Sequence, residues 1–192
     1  MKVEILHENQ LFKGFFNLFK TTLRFEKFNG DMSEPVVRVN VYRGDAVAVL
    51  VYDSQKRQCI LVRQFRYPIH TVEPENAWTL EAVAGSIEHG ASVPETAVRE
   101  TEEEVGYRVE ESQLIYAGRC YPSPGGTSER IYLYAVDVAG MKPTNSGGGL
   151  EHEAEDIEVV KIPLQEFFAR IDKGEICDAK TLLLANWLRA GF

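Results

Sequence analysis

Gly85-Ser86-Ile87-Glu88-His89-Gly90-Ala91, then Arg99-Glu100-Thr101-Glu102-Glu103-Glu104-Val105-Gly106-Tyr107, is the stretch from which the rest of the chain is read. Between the two pieces Ser92 with Glu95 three residues on makes a capping box, and Pro94 sits in a first helical turn. Gly106 is a stop signal, so the spacing predicts a helix over 92–105. On that helix Glu100, Glu103 and Glu104 stand at i, i+3 and i+4 and share one face. Ala97, Val98, Thr101 and Val105 supply a less polar side for packing. Like charges at this spacing destabilise a helix by about 0.2–0.5 kcal/mol per pair. The cluster is therefore either a solvated acidic face or a set of oxygen ligands for a hard cation. A glycine-terminated strand, a Gly-containing loop and a capped helix together place the carboxylates at a loop–helix junction.

Outward from this segment the chain alternates strands and helices. Residues 1–34 hold short alternating segments broken by Phe28-Asn29-Gly30-Asp31, which predicts one or two hairpins. Phe12, Phe15, Phe16, Phe19, Phe25 and Phe28 are too many for so short a segment to bury, so it is expected to pack on the main domain or on a second subunit. Ala46–Tyr52 and Cys59–Val62 are apolar runs that read as a buried hairpin. Residues 68–78 read as a polar loop and Thr79–Ala84 as a strand. Further strands are expected over Leu114–Tyr121, Arg130–Val138 and Ile157–Ile162, with helices over Leu164–Lys173 and Ala179–Ala190. Ala139–Gly149, ending in three glycines, reads as flexible. The order is that of an α/β or α+β chain with mixed layers. Its expected organisation is an N-terminal β segment over 1–40 and a main domain over 41–192.

Composition bounds the class. The chain has 192 residues, 44% hydrophobic and 26% charged, as soluble globular domains do. Cys59, Cys120 and Cys177 are widely spaced and odd in number, which fits neither a disulfide framework nor a zinc pattern and implies a reducing cytoplasm. The strongly apolar runs are too short to span a bilayer, and the first residues lack the apolar core of a signal peptide. A net charge of -8 argues against nucleic-acid and anionic-membrane partners. His7, His70, His89 and His152 show no metal-ligand spacing.

Gly85, Arg99, Glu100, Glu103, Glu104, Gly106 and Tyr107 stand at the spacing of the Nudix box, G-x5-E-x7-R-E-U-x-E-E-x-G-U, which this segment resembles. Ala91 replaces the first glutamate of the box, and Thr101 replaces an apolar residue. The resemblance runs from about Phe28 to the end. Its flanks are similar to the nucleoside-diphosphate-sugar branch, the ADP-ribose and GDP-mannose pyrophosphatases. Arg43–Leu50 and Arg63-Gln64-Phe65-Arg66 look like the entry strands of that branch, and Glu81-Ala82-Val83-Ala84-Gly85 is similar to its E-x-P-A-G lead-in. Ser123–Glu129, Gly147–Gly149, Glu155–Val159 and Gly174–Thr181 complete the likeness.

The resemblance implies an α/β/α sandwich around a mixed sheet, plus a small N-terminal β segment. It implies hydrolysis of a nucleotide-sugar pyrophosphate to a nucleoside monophosphate and a sugar 1-phosphate, with magnesium or manganese as cofactor. By the same likeness Glu100 and Glu104 are the main metal ligands, Glu103 assists, and the carbonyl of Ala84 completes the shell. Gly85, Arg99 and Gly106 are structural members of the box. The general base is expected on the loop after the glycines, at Glu153 with Glu155 second. Arg66 matches an arginine that contacts substrate phosphate; a strand-end salt bridge is its other reading. Glu81 and Glu129 match acids near the metals, with structural pairing to an arginine as the alternative. Ser123 and Gly125 lie in the loop expected beside the terminal sugar. Arg38 is a weaker substrate-binding candidate, as is Arg43. Trp78, Tyr132 and Tyr134 are candidates for nucleobase contact or, more plainly, for core packing.

Ala91 has a consequence of its own. In the family that glutamate holds Arg99 and the loop, so its absence is expected to loosen the site; Glu95, four residues before Arg99, is the expected substitute partner. Ala91 is also the one feature favouring a different class, a non-catalytic sensor of nucleotide sugars, whereas the retained acids favour an enzyme. The resembling enzymes form homodimers with exchanged N-terminal segments, and a homodimer is expected here.

Overall fold

The computed structural model describes residues 1–150 and 155–191. The chain divides into two compact units, Met1–Asp45 with Tyr121–Arg130, and the remainder from Ala46. The N-terminal unit thus runs five residues past position 40 and takes in a distant loop. It holds a three-stranded antiparallel sheet of β1 (Val3–Lys13), β2 (Asn17–Phe25) and β3 (Val36–Tyr42) in that order. After β2 the Asn29-Gly30 turn closes a short bridge between Glu26 and Met32. The 121–130 loop is fastened to the end of this sheet. Val41 N–H donates to the Gly126 carbonyl at 2.9 Å, Arg130 pairs with Asp45, and Arg43 with Glu129 at 3.5 Å. Every residue of β1 is exposed, and Phe12, Phe15, Phe16, Phe25 and Phe28 are exposed as well.

The second unit is built on β4 (Ala46–Asp53) and β5 (Gln58–Phe65), the expected hairpin. Its sheet runs β10-β5-β4-β9-β8, with β8 (Ile115–Cys120), β9 (Ile131–Asp137) and β10 (Glu158–Pro163). β4 pairs with β9 in parallel and with β5 antiparallel, so the sheet is mixed. The side chains of β4 alternate between two buried faces, as period 2 demands. Val47, Val49 and Val51 meet Ala97 and Val105 of α2 (Val93–Val105). Ala48, Leu50 and Tyr52 meet Phe167 of α3 (Leu164–Asp172) and Leu184 and Leu188 of α4 (Ala179–Gly191). This is the expected sandwich, helix layers on both faces of one mixed sheet.

Four local readings change. The strand expected over Thr79–Ala84 is two strands, β6 (Trp78–Glu81) on β5 and β7 (Val83–Ser86) on β4, broken at Ala82. The polar loop over 68–78 contains a helical turn α1 (Tyr67–His70) and a 3-10 turn Pro74–Asn76, each started by a proline at its first or second position. The glycine stretch is fastened down: Gly148 and Gly149 donate N–H bonds to the carbonyls of Glu104 and Glu103, at 3.0 and 3.1 Å. A Cβ on Gly147 would lie 2.4 Å from the Glu104 carbonyl oxygen, so only glycine lets this loop close on the helix end. Trp78 is no core residue. It is 63% exposed and stacks beside Phe65 at 5.1 Å. Tyr132 and Tyr134 are half-buried, and Tyr134 packs edge-on to Tyr116.

Candidate active site

The helix carrying the acids forms as its sequence dictates. Ser92 Oγ accepts from Glu95 N–H and Glu95 Oε2 accepts from Ser92 N–H, closing both halves of the capping box, and Gly106 ends the helix in the left-handed conformation. Thr101 fills the position where the box has an apolar residue: it is fully buried, and its hydroxyl is spent on the Ala97 carbonyl one turn back.

Two of the three acids are not on a solvated face. Glu104 is 1% exposed and Glu100 8%, whereas Glu103 is half-buried. Both buried carboxylates rest on β7. Ala84 N–H donates to Glu104 Oε2 at 3.2 Å. Gly85 lies under Glu100 so closely that a Cβ there would fall 1.8 Å from Glu100 Oε1. Burial pushes the Glu100 carboxyl up to about 7, with repulsion from Glu103 and Glu155 adding and Arg99 opposing. Burial raises Glu104 well above the carboxylate range, and Glu100 and Glu155 raise it further against Arg66 and the Ala84 N–H. Buried, mutually repelling oxygen donors of this kind fit a hard divalent cation, which would supply the missing positive charge.

Arg99 now provides part of that charge. Its guanidinium donates to Glu100 Oε1 at 2.6 Å and to Glu103 Oε2 at 2.5 Å. Glu95, the expected substitute partner, is committed to the helix cap instead. The pairing of Arg99 with Glu103 is the i,i+4 contact of one helix face, and Glu100 is its neighbour in the chain. Among the described residues no three Asp, Glu, His or Cys side chains converge as a ready cation cage.

A second charged cluster adjoins the first. Glu81 receives a bidentate pair from Arg66 (Nε and Nη2, both 2.8 Å) and further bonds from Thr79 Oγ1 and Lys180 Nζ. Lys180 also donates to Asp178 at 2.9 Å. Burial opposes the ionisation of Glu81, but Arg66 and Lys180 outweigh it and hold the carboxyl at about 2. Arg66 is thus the strand-end salt bridge of its second reading, and its charge is also felt at Glu104. In the sequence, Asp178, Lys180 and Thr181 stand out only through the family likeness of Gly174–Thr181. The signal available for their role was a lysine and a threonine opening a helix that otherwise runs into Leu182-Leu183-Leu184.

On the loop side, Glu155 Oε2 accepts from Leu150 N–H at 3.0 Å, and its charge is felt at Glu100 and Glu104. Glu153 and His152 lie outside the described residues. Arg99, Glu102 and Glu103 line a cavity of about 390 Å³ with Gly147, Gly149 and Leu150. Arg38, Ser123, Gly125 and Glu129 all belong to the N-terminal unit. There Arg38 and Gly125 line a cavity of about 390 Å³ with Asn40, Tyr121 and Gly126, while Glu129 pairs with Arg43.

A family model described as NUDIX domain matches residues 42–183. The chain is 34% identical over 191 residues to a GDP-mannose pyrophosphatase of Citrobacter koseri, covering 98% of this chain and 96% of that protein. It is 35% identical over 189 residues to an ADP-ribose pyrophosphatase of Escherichia coli strain K12, covering 97% and 88%. A solved structure described as an ADP compounds hydrolase shares the fold, with a TM-score of 0.75 at 20% identity over 100% of this chain and 94% of that one.

Proposed function

The chain belongs to the Nudix family, and on that footing we propose that it hydrolyses the pyrophosphate of a nucleoside diphosphate sugar, GDP-mannose or ADP-ribose, to a nucleoside monophosphate and a sugar 1-phosphate. The observation that carries this reading is the buried pair Glu100 and Glu104, seated on the backbone of Ala84 and Gly85 with too little positive charge around them. Glu100, Glu104 and the Ala84 carbonyl would hold magnesium or manganese, with Glu103 assisting. When bound, the cation supplies charge neutralisation at the pyrophosphate and Lewis acidity toward the attacking water.

The other roles are borne by the chain's own groups. Arg66, its planar guanidinium held in place by two bonds to Glu81, presents its remaining N–H groups to a phosphate oxygen. A carboxylate on the loop after the glycines takes the proton of the attacking water. Glu153 and Glu155 are the two candidates, and the field that Glu155 exerts on both metal-holding acids supports its nearness to the reaction. In the N-terminal unit, Arg38 is assigned to substrate binding and Ser123 and Gly125 to the terminal sugar, while the pairing of Glu129 with Arg43 supports the structural one of its two readings. The apolar residues that β1 leaves exposed support a homodimer. Among the described residues no helix is long and apolar enough to cross a membrane. A cytoplasmic setting remains our reading of the cysteine pattern.

The test is a panel of ADP-ribose, GDP-mannose, other nucleotide sugars and dinucleotides with magnesium, followed by chromatography of the products. Selective release of a monophosphate from one nucleotide sugar, abolished by chelation, is the expected result. Tight binding without turnover of any of them would replace the enzyme by a sensor.

A further inference from the structure

Ala82 is the point at which one extended segment changes partners. Glu81 is still paired with Val62 on β5, while Val83 is already paired with Val49 on β4. β4 and β5 pair with each other only from Val51 and Ile60 outward, so the segment crosses from one to the other where they have parted. Between its two ladders Ala82 is fully buried, and its N–H is met by a side chain 99 residues away, Thr181 Oγ1 at 2.8 Å. Thr181 is itself fully buried in the first turn of α4.

The direction of that bond is determined by a third residue. Thr181 Oγ1 donates its proton to Asp178 Oδ2 at 2.6 Å, which leaves an oxygen lone pair for Ala82 N–H. Asp178 Oδ2 also accepts Thr181 N–H at 3.0 Å, as a helix-capping carboxylate does. Asp178 thereby fixes both the helix start and the rotor of the hydroxyl.

The crossover decides where two functional groups stand. On one side Glu81 points to Arg66; two residues on the other side Ala84 N–H meets Glu104, and Gly85 supports Glu100. We propose that Thr181, oriented by Asp178, is a positioning residue of the reaction, holding the β6–β7 crossover so that β7 presents its backbone to the metal-binding carboxylates. The proposal rests on the function inferred above. The side-chain bonds of Thr181 go to Ala82 and Asp178, so it acts on Glu100 and Glu104 through the backbone of Ala82–Gly85.

Thr181→Val keeps the shape of the side chain and removes the acceptor; Thr181→Ser keeps the hydroxyl. Mn2+ binding to the metal-free protein, followed by electron paramagnetic resonance, is measured beside the thermal midpoint and the magnesium dependence of turnover. Thr181→Val is expected to weaken Mn2+ about tenfold and to raise the half-saturating magnesium concentration by a similar factor, and Thr181→Ser to restore both. A lowered midpoint in Thr181→Val with wild-type Mn2+ affinity would overturn the proposal and leave Thr181 a packing residue. If Thr181→Val does not fold, Thr181→Ser and Asp178→Asn carry the test: the serine variant should bind Mn2+ as wild type does and the asparagine variant less tightly, and wild-type affinity in both overturns the proposal. A wild-type protein that binds Mn2+ but hydrolyses no nucleotide sugar defeats the functional reading alone, because the Mn2+ comparison still decides the role of Thr181.

Discussion

Gly85 and Glu100 occupy one volume between them: the space a side chain at 85 would need is filled by the carboxyl group of Glu100, whose Oε1, Cδ and Cγ lie 1.8, 2.0 and 2.7 Å from the ideal Cβ position. The neighbour is the end of a flexible side chain, so Gly85→Ala can fold by moving Glu100. What it moves is the carboxylate proposed above as a metal ligand. The expected outcome is a nearly unchanged thermal midpoint with cation affinity reduced about tenfold or more, on the order of 1.4 kcal/mol. Calorimetric titration with Mn2+ checks this, and undiminished affinity would remove Glu100 from the ligand set.

The raised carboxyls set a pH dependence whose sign is opposite to that of an ordinary salt-bridged acid. Glu100, pushed up to about 7, and Glu104, raised well above its usual range, bind protons more tightly folded than unfolded. The stability they contribute is present below the unfolded carboxyl range and is lost as pH rises through their folded values. Without metal, the melting temperature should therefore fall between about pH 5.5 and 8, and added cation should restore more at the upper end while releasing protons at the lower. Cation affinity that does not change over this range contradicts the assignment.

Glu155→Gln keeps the bond from Leu150 N–H and removes the charge felt by Glu100 and Glu104. If Glu155 is the base, turnover should fall by about 10²–10⁴ while substrate affinity changes little. A mild effect here with a severe one in Glu153→Gln would assign the proton transfer to Glu153.

The helix cap and the box arginine are separate devices, because Glu95 binds Ser92 and Arg99 binds Glu100 and Glu103. Glu95→Ala should lower the thermal midpoint slightly, through loss of half the capping box, and leave cation affinity and turnover alone. Loss of affinity in this variant would restore Glu95 as the partner of Arg99 that its spacing suggests.

Leu11, Phe12, Phe15 and Phe16 are exposed around the turn of the β1–β2 hairpin, too much apolar surface to leave to water without cost. Light scattering after gel filtration should give twice 21.7 kDa, and Phe12→Glu with Phe16→Glu should shift the protein toward the single-chain mass. A wild-type protein of single-chain mass at working concentration excludes the dimer.

Much of this architecture is local in origin and therefore readable. The capping box at Ser92 and Glu95, the stop at Gly106 and the unbroken apolar run of β4 each depend on neighbours a few residues away, and each stands where spacing and periodicity put it. The family likeness rests on the same kind of short-range pattern, and the match over residues 42–183 is its counterpart. The break at Ala82 had no such signal, since Thr79–Ala84 alternates well enough for one strand and only the divergence of β4 from β5 divides it.

By itself, then, the sequence determined the helix with its carboxylates on one face, the mixed layers around a buried hairpin, and membership in a family of hydrolases. Tertiary structure alone decided which of those carboxylates are buried, because burial of Glu100 and Glu104 depends on β7 lying beneath them. It also decided the partners of Glu81, since Arg66 is 15 residues away and Lys180 99. Charge compensation between residues so far apart leaves no periodicity in the chain. It exists only where the sheet and α4 bring the groups within hydrogen-bonding distance.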